Sequence, residues 1–150
     1  MVVGSACALL VTPLTMGFEG KRNVAYLDPV KVLTICYGDT SGVKPGERAS
    51  DDECVARLDR QLAAHARPVL ACTPSLKGKP YQLAAAVDLA YNIGATRYCA
   101  SQVDRRFDAG DIRGACDAML AWRFANRVEM PGLLRRRQAE RSLCLTGVAP

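Results

Sequence analysis

Seven cysteines stand in a chain of 150 residues, at positions 7, 36, 54, 72, 99, 116 and 144. Neighbouring ones lie 17 to 29 positions apart and no C-x-x-C occurs. With one histidine, His65, a structural zinc site has no ligand set to draw on. Disulfides are the better reading, which places the folded chain in an oxidising compartment and leaves one thiol over. Six pairable cysteines admit about 15 connectivities, and their spacing does not choose among them.

The length suits one domain with a real core, and a charged fraction of 23% against 49% hydrophobic residues marks an ordinary globular chain. A net charge of +5 favours a polyanionic partner: nucleic acid, a membrane surface or an anionic cell wall. The nucleic-acid reading lacks interleaved aromatics or a recognised motif. Residues 1–18, MVVGSACALLVTPLTMGF, carry no charged side chain. A Sec signal wants a basic start, and a membrane helix wants about 20 strongly apolar residues. Gly4, Ser5, Thr12, Pro13, Thr15 and Gly17 dilute this run. It is a candidate membrane element of marginal stability, or else a buried N-terminal helix.

Beyond it, residues 24–40 alternate apolar and polar side chains, with Asp28-Pro29 and Gly38-Asp39 as turns, and predict a small sheet. Residues 41–50 read as a loop. Ser50 and Glu53 form a capping box, and Val55, Leu58 and Leu62 continue at helical spacing, so a long helix is expected to about Arg67, before Pro68. Pro80 opens a second helix, YQLAAAVDLAYNIG, apolar nearly all round and therefore central, which Asn92 and Gly94 end. Ser101 and Asp111 open two shorter helices, the first closed by Gly110 and the second running to about Trp122. A basic helix over 131–146 stops at Gly147. The layout is α+β: a small sheet lobe, a long helix and a helical lobe, with a cleft between the lobes.

The chemistry is sought in FEGKRNVAYLDPVKVLT, residues 18–34. Glycoside hydrolysis needs one carboxylic acid to protonate the leaving oxygen and a second carboxylate to attack the sugar or guide water. Glu19 and Asp28, on adjoining short segments, can meet across a cleft, and apolar walls such as Phe18 and Tyr26 would keep one of them protonated. Acidic residues around a turn are common, however, and on their own are more often solvated surface.

The spacing of Glu19, Asp28 and Thr34 resembles the catalytic signature of the phage lysozymes, glycoside hydrolase family 24. FEGKRNVAYLD and LTICYGDT are similar to that family's first motifs. AYNIGA (90–95), GDIRGACDAMLAW (110–122) and PGLLRRRQAER (131–141) resemble its later ones, in the same order. The resemblance covers about 19–145 and implies a lysozyme-like α+β fold, with a larger helical lobe joined to the sheet lobe by the long helix. It implies an endolysin, an N-acetylmuramidase that hydrolyses the β-1,4 bonds between N-acetylmuramic acid and N-acetylglucosamine and lyses the host cell. Carried over by position, Glu19 is the general acid, Asp28 stabilises the charged sugar ring and orients water, and Thr34 holds that water. These roles match an inverting mechanism, although the outcome is decided by the separation of the two carboxyls, which the sequence does not give. No cofactor and no metal are expected, the partner is the peptidoglycan strand, and the chain is expected to act as a monomer. The rival is a non-catalytic peptidoglycan-binding protein of lysozyme shape.

The cysteines are similar to those of a family branch, which implies the pairs Cys36–Cys54, Cys72–Cys99 and Cys116–Cys144 and leaves Cys7 alone. That branch is the signal-arrest-release endolysins. It implies a division into an anchor, 1–18, and a catalytic domain, 19–150, with transient inner-membrane tethering before release to the host periplasm. In some members a free thiol in the anchor rearranges an inhibitory disulfide; Cys36 is the available partner here. Two positions depart from the family pattern: Asp39 stands where the family usually has His, and Cys36 where it often has Gly, so the packing under the sheet lobe is expected to differ. Arg135, Arg136, Arg137 and Arg141 read as a mostly solvated face with one arginine reaching the cleft. Trp122 and Phe124 read as core and His65 as surface.

Overall fold

The computed structural model describes residues 4–150. Helix α1 (Ser5–Phe18) leads into a hairpin, β1 (Arg22–Leu27) and β2 (Leu33–Cys36), and then into the long α2 (Asp51–Cys72). Five helices follow: α3 (Pro80–Ile93), α4 (Ala95–Cys99), α5 (Gln102–Asp108), α6 (Ile112–Ala118) and α7 (Pro131–Cys144). A two-residue-stranded hairpin, β3 (Phe124–Ala125) and β4 (Val128–Glu129), precedes α7. The α+β layout expected from the sequence is the one observed.

Helix α3 is the axis. Its residues Leu83 to Ala90 are all buried, and α1, α2 and α7 pack around it. Alanines at 84, 85, 86 and 90 let these neighbours approach closely, while Val87 and Leu89 fill the space between them. Pro80 stands in its first turn and Gly94 ends it at φ +95°, a conformation that costs glycine little. The Ser50–Glu53 capping box opens α2 as predicted. The expected stop at Pro68 is overturned: α2 runs through it to Cys72. Proline deletes one backbone bond, but Ala66 and Val69 bury the same face on either side, and Cys72 is tied to Cys99 on α4.

All three expected disulfides form, Cys36–Cys54, Cys72–Cys99 and Cys116–Cys144, and Cys7 is a buried free thiol. Cys36 sits at φ +60°, the left-handed region that a glycine occupies at no cost. A side chain there costs about 1–2 kcal/mol, while a native bridge contributes about 2–4 kcal/mol. The bond to Cys54 on α2 therefore offsets the strain and fixes the sheet lobe to the helix. Asp39 reinforces the joint. Its carboxylate accepts from Arg57 Nη1 at 2.9 Å and Gln61 Nε2 at 3.0 Å, both on α2, and from the backbone N–H of Ser41. Arg57 also pairs with Glu47. The cation thus comes from α2 and the anion from the sheet lobe, which is how the chain accommodates an aspartate at the histidine position.

Residues 5–18 form α1, which lies on α3 with Cys7, Val11 and Thr15 buried. Among the described residues no helix is long and apolar enough to cross a membrane.

Candidate active site

Glu19 is the residue that ends α1. Its N–H donates to Thr15 O at 2.9 Å, so the helix terminus fixes its backbone. Its side chain, one quarter exposed, lines a cavity of about 540 Å³ together with Phe18, Asn92, Met130 and Arg136. Arg136 Nη1 donates to Glu19 Oε1 at 2.7 Å. The other oxygen, Oε2, faces Gly38 at the sheet-lobe turn, where an added Cβ would stand 4.0 Å from it. Gly38 has φ +86°, a turn conformation that glycine adopts without strain. Tyr91 of α3 holds the same turn by donating from its hydroxyl to Tyr37 O at 2.6 Å. Burial, then the Glu19 charge, push the Tyr91 phenol above its ordinary value, so it serves as a neutral donor.

Arg136 is itself gripped from the other side. Its Nε and Nη2 donate to the two carboxylate oxygens of Asp88, each at 2.9 Å, and Asp88 Oδ1 also accepts from Thr15 Oγ1 at 2.7 Å. Burial alone raises the Asp88 carboxyl, but the Arg136 guanidinium, with Thr15 as a further donor, holds it below the usual carboxylate value. Glu140 behaves in the opposite way. Burial first, then the neighbouring Asp88 carboxylate, push it well above the ordinary glutamate value against the pull of Arg137. Its Oε2 is buried without a hydrogen-bond partner. Arg137 donates to Glu140 Oε1 at 2.6 Å and to Asn92 Oδ1 at 2.9 Å.

These contacts correct the reading of the basic helix as mostly solvated. Arg136 does reach the cleft, but Arg137 is fully buried, with Glu140 and Asn92 accepting hydrogen bonds from its guanidinium. Asp88 and Glu140 were not foreseen as members of the site: each is a lone acid on a helix, and their partners lie 48 and 3 positions away. Phe124 is corrected too, being exposed on the β3–β4 hairpin, and His65 is half-buried against the Tyr91 ring rather than at the surface.

Asp28 and Thr34 lie on the β1–β2 hairpin and are not among the residues lining the cavity of Glu19. Asp28 Oδ1 accepts from the N–H groups of Val30 and Val32 at 2.9 and 2.8 Å, an Asx-type turn that leaves Oδ2 outside these bonds. Thr34, buried and opposite Tyr26 in the ladder, donates from its hydroxyl to Val32 O at 3.0 Å. Val32 thus joins the two side chains through its N–H and its carbonyl. Of the walls expected around the acid, Phe18 borders the cavity; Tyr26 instead lies under the Arg22 guanidinium, 4.3 Å from its ring centre. Among the described residues no group of His, Cys, Asp or Glu is arranged to hold a metal ion.

Comparison with known proteins bears on this arrangement. The phage lysozyme family profile matches residues 16–140. The chain is 37% identical over 134 residues to the SAR-endolysin of bacteriophage PS119, covering 87% of this chain and 78% of that one. It is equally close to the SAR-endolysin of Enterobacteria phage P21, with 87% and 79% covered. Among solved structures, the muramidase domain of SpmX from Asticaccaulis excentricus superposes with a TM-score of 0.82 at 28% identity, over 100% of this chain and 99% of that one.

Proposed function

The chain belongs to the phage lysozyme family and is an endolysin, a muramidase that cleaves the β-1,4 bonds of bacterial peptidoglycan; we propose that Glu19, Asp28 and Thr34 carry the reaction. The observation that supports this most is Glu19 itself, a carboxyl on a cavity wall with one oxygen held by Arg136. Oε2 is then the oxygen that delivers a proton to the glycosidic oxygen as the bond breaks. Asp28, whose backbone-bound Oδ1 fixes the carboxylate, offers Oδ2 to the attacking water and steadies the positive charge that grows on the ring. Because the Thr34 hydrogen is committed to Val32 O, its oxygen accepts from that water. A water giving one hydrogen to Thr34 and one to Asp28 keeps a lone pair for the anomeric carbon. This arrangement corresponds to the inverting outcome, and one chain supplies all of it, consistent with a monomer.

Glu19→Gln keeps the hydrogen-bond acceptor for Arg136 and removes the proton. Clearing of purified peptidoglycan, followed by reducing-end analysis, is expected to fall by roughly 10²–10⁴-fold with folding retained. Clearing at the wild-type rate would remove the acid assignment.

Residues 1–18 are proposed to tether the enzyme to the inner membrane first and to dock afterwards as α1, with the periplasm as the site of action. The hydroxyls that dilute the apolar run support this. Thr12 donates to Asp59 of α2 at 2.7 Å and Thr15 to Asp88 of α3 at 2.7 Å. In a bilayer the same groups lack such acceptors, which weakens residence there and favours docking. Cys7 is buried in the docked helix, and burial raises its thiol to about 11, so thiolate exchange with Cys36 would have to precede docking.

A further inference from the structure

We infer that Asp88 is a positioning residue for the general acid: by holding Arg136 on two of its nitrogens, it aims the third at Glu19 Oε1. The inference rests on the reading of Glu19 as the proton donor. Arg136 carries its donors in a rigid planar fork. With Nε and Nη2 both fixed on the Asp88 carboxylate, the direction of Nη1 is no longer adjustable, and it meets Glu19 at 2.7 Å. Asp88 is fully buried, and Thr15 supplies a further donor to it from the α1 turn whose carbonyl accepts from Glu19 N–H. The backbone and the side chain of Glu19 are therefore both referred to one carboxylate on α3.

That carboxylate also decides how the Arg136 charge is shared. The groups around Glu19 are Arg135 and Arg136 from α7, Asp88 and Tyr91 from α3, and the Tyr37–Asp39 turn of the sheet lobe. Burial holds the Tyr91 phenol and the Glu140 carboxyl above their ordinary values, Glu140 Oε1 lies 3.8 Å from Arg136 Nε, and Asp39 is paired with Arg57. With Asp88 ionised, Arg136 serves two anions. With Asp88 neutral, more of its charge bears on Glu19 and favours the ionised form, which cannot donate a proton.

The test uses the full chain on purified peptidoglycan, with kcat, KM and the pH dependence of kcat/KM measured for Asp88→Asn, Thr15→Val and Glu19→Gln. For Asp88→Asn the expected result is a kcat lower by 10- to 100-fold, a KM within about twofold of wild type, and an alkaline limb of the pH profile moved to lower pH. Wild-type kcat, or a loss of kcat with the limb unmoved, overturns the inference, since a purely structural role would not move it. If Asp88→Asn fails to fold, Thr15→Val decides. It keeps the shape and removes one donor, so a severalfold lower kcat at unchanged KM supports the inference and an unchanged kcat overturns it. Glu19→Gln separates the two readings: activity retained there removes the acid assignment, whereas an inactive Glu19→Gln beside a wild-type-like Asp88→Asn removes only the role of Asp88.

Discussion

The two sides of the site are held in different ways. Glu19 is fixed by partners distant in sequence: Arg136 lies 117 positions away, and the Thr15–Asp88 bond behind it joins residues 73 apart. Asp28 and Thr34 are fixed by their own hairpin, through bonds spanning two to four positions. The acid therefore needs the helical lobe to be assembled before it is aimed, while the water-handling pair is set by a turn. Arg136 is the residue on which this difference turns. Arg136→Met leaves Asp88 as a bare buried anion and releases Glu19. Loss of one partner of a buried pair costs about 3–5 kcal/mol, read by chemical denaturation. A loss below about 1 kcal/mol would mean that the acid's side of the site is no more dependent on long-range contacts than the hairpin is.

The same contrast explains what the sequence disclosed. The hairpin, its Asp28-Pro29 turn, the capping box of α2 and the buried α3 all rest on local patterns, and each was legible. The order of the family motifs made the fold legible as well, and the likeness of the cysteines to those of a family branch did the same for the disulfide pairs. The charge cluster was not. Asp88 stands in YQLAAAVDLAYNIG as one acid among apolar neighbours, and no spacing rule connects it with Arg136 or Thr15. Three consecutive arginines read as a solvated face until α7 is packed on α3, which buries Arg136 and Arg137 while Arg135 stays at the cavity rim. Pro68 misled for a related reason: a local stop signal was overridden by core contacts on either side of it.

A milder disturbance on the other side sharpens the comparison. Replacing Cys36 and Cys54 together with serine removes the covalent joint between sheet lobe and α2, at an expected cost of about 2–4 kcal/mol. Asp39 and Arg57 still hold the lobe by an ion pair. The loss is therefore expected to be local: hydrogen exchange should quicken in β1 and β2 while α3 amides keep their protection relative to global unfolding. Equal loosening of α3 would show that the two sides open as one unit.

The smallest expected effect lies inside the charge cluster and depends on pH. In the unfolded chain Glu140 ionises near its ordinary value of about 4.3, whereas in the folded protein it keeps its proton to higher pH. Across that interval the folded state binds more protons than the unfolded one, so this residue's contribution to stability falls as pH rises. Asp88 acts in the other direction, its contribution falling as pH drops below the ordinary aspartate value of about 3.9. Glu140→Gln retains an acceptor for Arg137 but has no proton to lose. Its melting temperature is expected to match wild type near pH 4 and to exceed it increasingly toward pH 8, by a few degrees for a chain of this length. Parallel melting curves for the two proteins from pH 4 to 8 would mean that Glu140 is ionised in the fold, with Arg137 rather than its own proton balancing it.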